Sequence, residues 1–209
     1  EEELQQVDRV SKMSSIEKGK FIYFPNDPSK VVFLLKRGKV KLGSYSSDGK
    51  ELIKAILEPG EVFGELAVTG QEHRSDFAQA MTDDVRICAV QKEDMLNIMS
   101  ELPKLNQEIT RTIGDRMLKL QRRYEALVFK DARERIIDFV VETTKEKGFQ
   151  VGFGMKLKHD LTHQDIAQLT ATSRQTVTLV LNELKEKELI NFDRGSILIH
   201  EMKAMEHAV

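Results

Sequence analysis

Thr162-His163-Gln164-Asp165-Ile166-Ala167-Gln168-Leu169-Thr170-Ala171-Thr172-Ser173-Arg174-Gln175-Thr176-Val177-Thr178-Leu179-Val180-Leu181-Asn182-Glu183-Leu184 carries the strongest structural pattern of the C-terminal part. Thr162 followed three residues later by Asp165 is a capping pattern that starts a helix. Ile166, Ala167 and Leu169 give that helix an apolar face. Thr170-Ala171-Thr172 is a tight break, after which Thr172 or Ser173 can cap a second helix. Val177, Val180, Leu181 and Leu184 follow the i, i+3, i+4, i+7 spacing of a buried stripe. The opposite face carries Arg174, Gln175, Thr178 and Asn182. Two short helices joined by small residues form a helix-turn-helix, which lays its second helix in the major groove of DNA. There an arginine such as Arg174 can bond guanine and a glutamine such as Gln175 can pair with adenine. Thr162, Gln164, Ser173 and Thr176 suit phosphate oxygens, which fix register. The same spacing also fits a plain helical hairpin with a charged face.

Downstream, Leu189-Ile190-Asn191-Phe192 and Ser196-Ile197-Leu198-Ile199 flank Asp193-Arg194-Gly195, a hairpin that would form a wing with Arg194 able to reach a phosphate. Upstream, Ala132 to Lys147 reads as a helix and Gly148 to Lys158 as a Gly-containing hairpin. Before these, residues 104–130 hold Ile113, Met117, Leu120, Tyr124 and Leu127 at steps of four, three, four and three, the seam of a coiled coil. Lys119, Arg122 and Arg123 lie off the seam. The stripe also fits a helix packed on its own core. A single stripe on so long a helix favours a second copy of the chain.

From about Gly19 to Val90 the chain alternates short β-rich runs with turn signals. The runs are Lys20–Phe24, Val31–Leu35, Lys39–Gly43 and Leu52–Leu57; the turns include Pro25-Asn26-Asp27-Pro28, Arg37-Gly38, Asp48-Gly49 and Pro59-Gly60. This predicts a barrel or double-sheet roll. Ahead of it, Leu4, Val7 and Met13 suggest a short amphipathic helix. Within the roll, Gly60-Glu61-Val62-Phe63-Gly64-Glu65-Leu66-Ala67 precedes Arg74-Ser75. Glycines let backbone approach a ligand. A helical turn after Gly64 would aim N–H groups at an anion. Arg74 and Ser75 can bond a phosphate, and Glu65 can accept from a sugar hydroxyl.

Composition limits the alternatives. The 209 residues suffice for two small domains, and 32% charged residues suit a soluble chain. No apolar run approaches the ~20 residues of a membrane span. No signal-like stretch opens the chain, which begins at Glu1 rather than Met and so is expected to lack a few residues. Cys88 is the one cysteine, expected as a core residue, and it supplies neither a disulfide nor a cluster. A cytoplasmic location follows as an expectation. Net charge is −2, and from Ala132 to Val209 there are 11 Lys/Arg against 12 Asp/Glu, so DNA binding rests on local pattern rather than a basic domain. No catalytic constellation is visible. His159 and His163 straddle a strand–helix boundary, so no metal site is expected.

Together these motifs, in this order, resemble the Crp/Fnr family of bacterial regulators over essentially the whole chain. The resemblance rests on the Gly-punctuated roll, Phe63-Gly64-Glu65-Leu66 to Arg74-Ser75, the long helix, Leu127-Val128-Phe129-Lys130-Asp131, and Ser173-Arg174-Gln175-Thr176-Val177. It implies an α+β chain: a cyclic-nucleotide-binding-type β-roll (jelly roll), a long dimerisation helix and a winged helix-turn-helix. By resemblance Glu65 binds a ribose hydroxyl of cyclic AMP, Arg74 and Ser75 hold its phosphate, Arg116 contacts the cassette, and Arg174 reads a base. Gly64, Leu66 and Ala67 complete that cassette. Where the family's cyclic-AMP-responsive activator has Thr-Ser against the adenine, this chain has Leu120-Gln121, so the base half of the pocket differs. Where it has Glu and a second Arg on the recognition helix, this chain has Gln175 and Leu179; Leu179 can meet a thymine methyl. The resemblance further implies a palindromic double-stranded DNA operator, a homodimer and contact with RNA polymerase. Expected parts are residues 1–103 for effector, 104–131 for dimer helix and hinge, and 132–209 for DNA. Two other readings stay open: a regulator with an empty pocket, and a nucleotide-sensing module that docks a protein partner.

Overall fold

The computed structural model describes residues 10–207. The chain divides into two compact units, Glu1–Leu120 and Gln121–Val209. In the first, strands β1 (Lys12–Ile16), β2 (Phe21–Tyr23), β3 (Val31–Arg37), β4 (Val40–Tyr45), β5 (Glu51–Leu57), β6 (Val62–Phe63), β7 (Phe77–Ala80) and β8 (Val85–Gln91) build two antiparallel sheets. Their orders are β1-β8-β3-β6 and β2-β7-β4-β5. Tyr23, Leu42, Ala78 and Ala80 from one sheet and Leu35, Phe63, Val85 and Ile87 from the other share one core, so the two sheets form the expected double-sheet roll. Asp48-Gly49 turns β4 into β5, with Gly49 at φ +81°, the left-handed region glycine adopts at least cost. Cys88 is buried on β8.

One expectation is corrected here. Met13 lies in β1 opposite Cys88 rather than in a helix, because the edge of β8 offers it a ladder partner; Leu4 and Val7 fall outside the described residues. A helix that the strand pattern did not announce, α1 (Lys92–Glu101), follows β8 directly. It buries Met95 and Ile98 against Val32, Val90 and Ala67.

Helix α2 runs Pro103–Phe129, 27 residues or about 40 Å. Pro103 stands at its first turn, where the missing N–H costs nothing. Only Ile109 is buried on it; Met117, Leu120, Tyr124 and Leu127 are exposed. Among the described residues, these four side chains are covered by no core of the chain, while Ile113 is half-buried.

The second unit contains α3 (Ala132–Lys147), β9 (Phe149–Val151), β10 (Gly154–Lys158), α4 (His163–Leu169), α5 (Arg174–Glu186), β11 (Ile190–Phe192), β12 (Ser196–Ile199) and α6 (Met202–Glu206). The two hairpins join, through β10 and β12, into one sheet ordered β11-β12-β10-β9. Ile136, Ile137 and Val140 of α3 pack with Ile166 and Ala167 of α4, Val177, Leu181 and Leu184 of α5, and Ile190, Ile197 and Ile199 of the sheet.

Candidate effector cassette and nucleic-acid interface

The cassette hangs on β6. Gly64 ends that strand at φ +69°, and a Cβ there would sit 2.7 Å from Arg74 Nη1, so both backbone and space call for glycine. Glu65–Thr69 then form a single 3-10 turn. Ala67 faces inward and Leu66 outward. Across the sheet edge, Arg74 is only 4% exposed. Its Nη1 donates to the Gly64 carbonyl at 3.0 Å and its Nη2 to the Val31 carbonyl. The guanidinium lies 4.6 Å over the Tyr23 ring, while among the described residues its buried Nε has no partner. The fork that sequence assigns to an anion is thus turned onto backbone carbonyls, because a buried guanidinium must find acceptors. Ser75 is exposed beside it.

Glu65, 5% exposed, pairs through Oε2 with Arg116 Nη1 at 2.5 Å. Arg116 Nη2 also donates to the Val62 carbonyl at 2.5 Å. Arg116, which the family resemblance places against the cassette, therefore lies on Glu65 and the Val62 carbonyl. Leu120 is exposed on α2, and Gln121, which begins the second unit, is exposed too.

Sequence reading missed three groups around Arg74. Burial pushes the Tyr23 hydroxyl far above its ordinary range. That hydroxyl donates to Asp76, whose carboxyl burial also holds above the usual carboxylate range. Lys54 Nζ stands 3.8 Å from Asp76 and opposes that shift. Tyr23 and Lys54 come from β2 and β5, so nothing local in the sequence announces them.

In the second unit, Thr162 caps α4 by accepting from the Asp165 N–H, and Asp165 returns the bond to the Thr162 N–H. Ser173, not Thr172, caps α5, accepting from the Thr176 N–H at 3.0 Å. Thr162, Gln164, Ser173, Arg174 and Gln175 are exposed, Thr176 half-buried. Among the described residues, the side chains of Arg174 and Gln175 have no protein partner. The Thr178 hydroxyl donates to the Arg174 carbonyl and lies 2.9 Å from His163 Nδ1. Leu179 is 70% exposed. Arg194 sits exposed at the tip of β11–β12, where Asp193 accepts from the Gly195 N–H and the Ser196 hydroxyl. Those bonds hold the Asp193 carboxyl below its ordinary range.

Arg135 was absent from the sequence reading. From α3 it donates Nε to the Thr170 carbonyl at 2.9 Å, Nη2 to the Ala171 carbonyl at 3.1 Å and Nη1 to the Lys130 carbonyl at 2.8 Å.

Residues 13–101 match the cyclic nucleotide-binding domain model and residues 134–208 the Crp-like helix-turn-helix domain model. The "Global nitrogen regulator" of Synechococcus elongatus is 30% identical over 188 residues, 90% of this chain and 85% of that protein. The chain belongs to the Crp/Fnr family of transcription regulators. Another relative, the "CRP-like cAMP-activated global transcriptional regulator" of Mycobacterium tuberculosis, is 26% identical over 90% of this chain and 84% of its own. A CooA mutant structure from Carboxydothermus hydrogenoformans superposes with TM-score 0.86 at 29% identity, covering 96% of this chain and 88% of that one. This Crp/Fnr chain is thus a DNA-binding transcription regulator with a cyclic-nucleotide-binding domain. These relatives are named as regulators, not enzymes. Among the described residues no His, Cys, Asp and Glu group could hold a metal ion, and no helix is long and apolar enough to cross a membrane.

Proposed function

We propose that this regulator acts as a homodimer whose α2 helices pair along Ile113, Met117, Leu120, Tyr124 and Leu127. The observation that supports pairing is the exposure of Met117, Leu120, Tyr124 and Leu127 on a helix whose buried residue is Ile109. α5 then reads DNA, with Arg174, Gln175 and Leu179 toward base edges and Thr162, Gln164, Ser173, Thr176 and Arg194 toward phosphates. Thr178 joins this DNA-facing set, and its hydroxyl also lies against His163 of α4. Two such helices would meet half-sites roughly 34–36 Å apart on a palindromic operator. The functional parts are residues 1–103, 104–131 and 132–209. The protein works in the cytoplasm, where operator and RNA polymerase are found.

The cassette of Gly64, Glu65, Leu66, Ala67, Arg74, Ser75 and Arg116, with Leu120 and Gln121, takes a small anionic effector such as cyclic AMP. Relatives named for cyclic AMP, and the resemblance of Glu65, Arg74 and Ser75 to the family's phosphate- and sugar-binding cassette, support this. A second reading, control without effector, draws on a specific observation: Arg74 and Arg116 already bond protein acceptors. An effector shifts the equilibrium only through differential affinity for two states. Selection from a random duplex pool, run with and without cyclic AMP, tests both. An enriched palindrome that strengthens with cyclic AMP supports the effector reading. A palindrome enriched equally without it supports effector-free control. No enrichment overturns the DNA-reading assignment of α5.

A further inference from the structure

Ala171, in the turn between α4 and α5, adopts φ +50°, a left-handed conformation that a residue with a Cβ holds only when its surroundings fix it. The Arg135 guanidinium bonds this turn, alongside the Thr172 N–H on the Ala167 carbonyl. The Thr170 and Ala171 carbonyls follow the C-terminus of α4, where helix carbonyls lack internal partners. Arg135 donates to both, at 2.9 and 3.1 Å. Its third donor reaches, at 2.8 Å, the carbonyl of Lys130, whose own N–H still bonds back to Ala126 in the last turn of α2. Lys130 is further anchored by its Nζ on Asp138 at 2.5 Å. Next to it, Asp131 and Glu134 close a capping box at the start of α3. One planar, rigid fork therefore joins the end of the long helix to the turn that sets α5. A lysine, with a single nitrogen on a flexible stem, cannot reproduce three divergent bonds.

We propose that Arg135 is a positioning residue for DNA reading: it transmits the position of the α2 C-terminus to the helix-turn-helix turn, and so sets the pose of Arg174 and Gln175. This rests on the reading of α5 as the DNA-reading helix. Arg133, two residues earlier on α3, gives a matched control, because it bridges α3 to Glu183 of α5 at 3.2 Å.

The test compares the unaltered full chain, Arg135→Lys, Arg135→Met and Arg133→Met. Each is measured by thermal melting and by fluorescence anisotropy on a duplex selected by the unaltered chain and on a scrambled duplex. The expected result is a tenfold or greater fall in the selected-to-scrambled affinity ratio for both Arg135 variants, with scrambled affinity unchanged. Arg133→Met keeps the ratio even where its melting point falls as far. Hydrogen exchange at the amides of 172–176 should quicken in the Arg135 variants alone. A ratio that survives Arg135→Met, or that Arg133→Met lowers equally, overturns the proposal. If the unaltered chain selects no duplex, the reading of α5 fails instead, and this inference with it.

Discussion

Arg116 on α2 holds the buried carboxylate of Glu65 at 2.5 Å while its other terminal nitrogen bonds the Val62 carbonyl. The residue assigned to a sugar hydroxyl and the long helix therefore share one ion pair. A group that competes for Glu65 must act on Arg116, and so on the helix that carries the exposed seam.

Removing one partner leaves the other charge buried and uncompensated. Arg116→Met is expected to destabilise the first unit by about 3–5 kcal/mol, and adding Glu65→Gln should recover much of that loss. A double-mutant cycle by chemical denaturation checks it. Additive losses would show that the pair carries no coupling.

Asp76 gives a pH signature. Burial raises its folded-state carboxyl above the unfolded value, so folding binds a proton between the two. Its contribution is full below the unfolded value and is lost as pH rises through the folded one. Asp76→Asn should therefore melt higher than the unaltered chain at neutral pH, with the gap closing on acidification below the ordinary carboxylate range. A gap independent of pH contradicts this.

Leu120, 66% exposed, lies at the centre of the proposed seam. Leu120→Glu should convert a dimer to monomer in sedimentation equilibrium while leaving the melting of the second unit unchanged. A monomeric unaltered chain would contradict the pairing.

Ser173→Ala removes the acceptor for the Thr176 N–H and should cost about 1 kcal/mol of second-unit stability. Denaturant titration followed by circular dichroism reads it. Because the cap also sets the first turn of α5, selected-duplex affinity should fall more than this stability loss alone explains.

What was legible in the sequence was mostly local. Thr162 and Asp165, three residues apart, announced the α4 cap, and the Val177–Leu184 stripe announced which face of α5 is buried. The roll followed from its turn residues. Partnerships across long separations were not legible: Val31 lies 43 residues from Arg74, and Val62 lies 54 from Arg116. The place of Arg116 came from family resemblance, and Tyr23, Lys54 and Arg135 were missed. Helix α1 was missed because it follows β8 with no breaker between them. The joining of the two hairpins through β10 and β12 spans a whole helix-turn-helix, which strand patterning does not see.

The central claim is that α5 reads bases through its exposed N-terminal face. Anisotropy titrations of the unaltered chain and Arg174→Ala on the selected duplex test it most directly. Arg174→Ala should lose about 1–3 kcal/mol on the selected site, with relaxed preference at one base pair in each half-site. Equal affinity and unchanged base preference would contradict it.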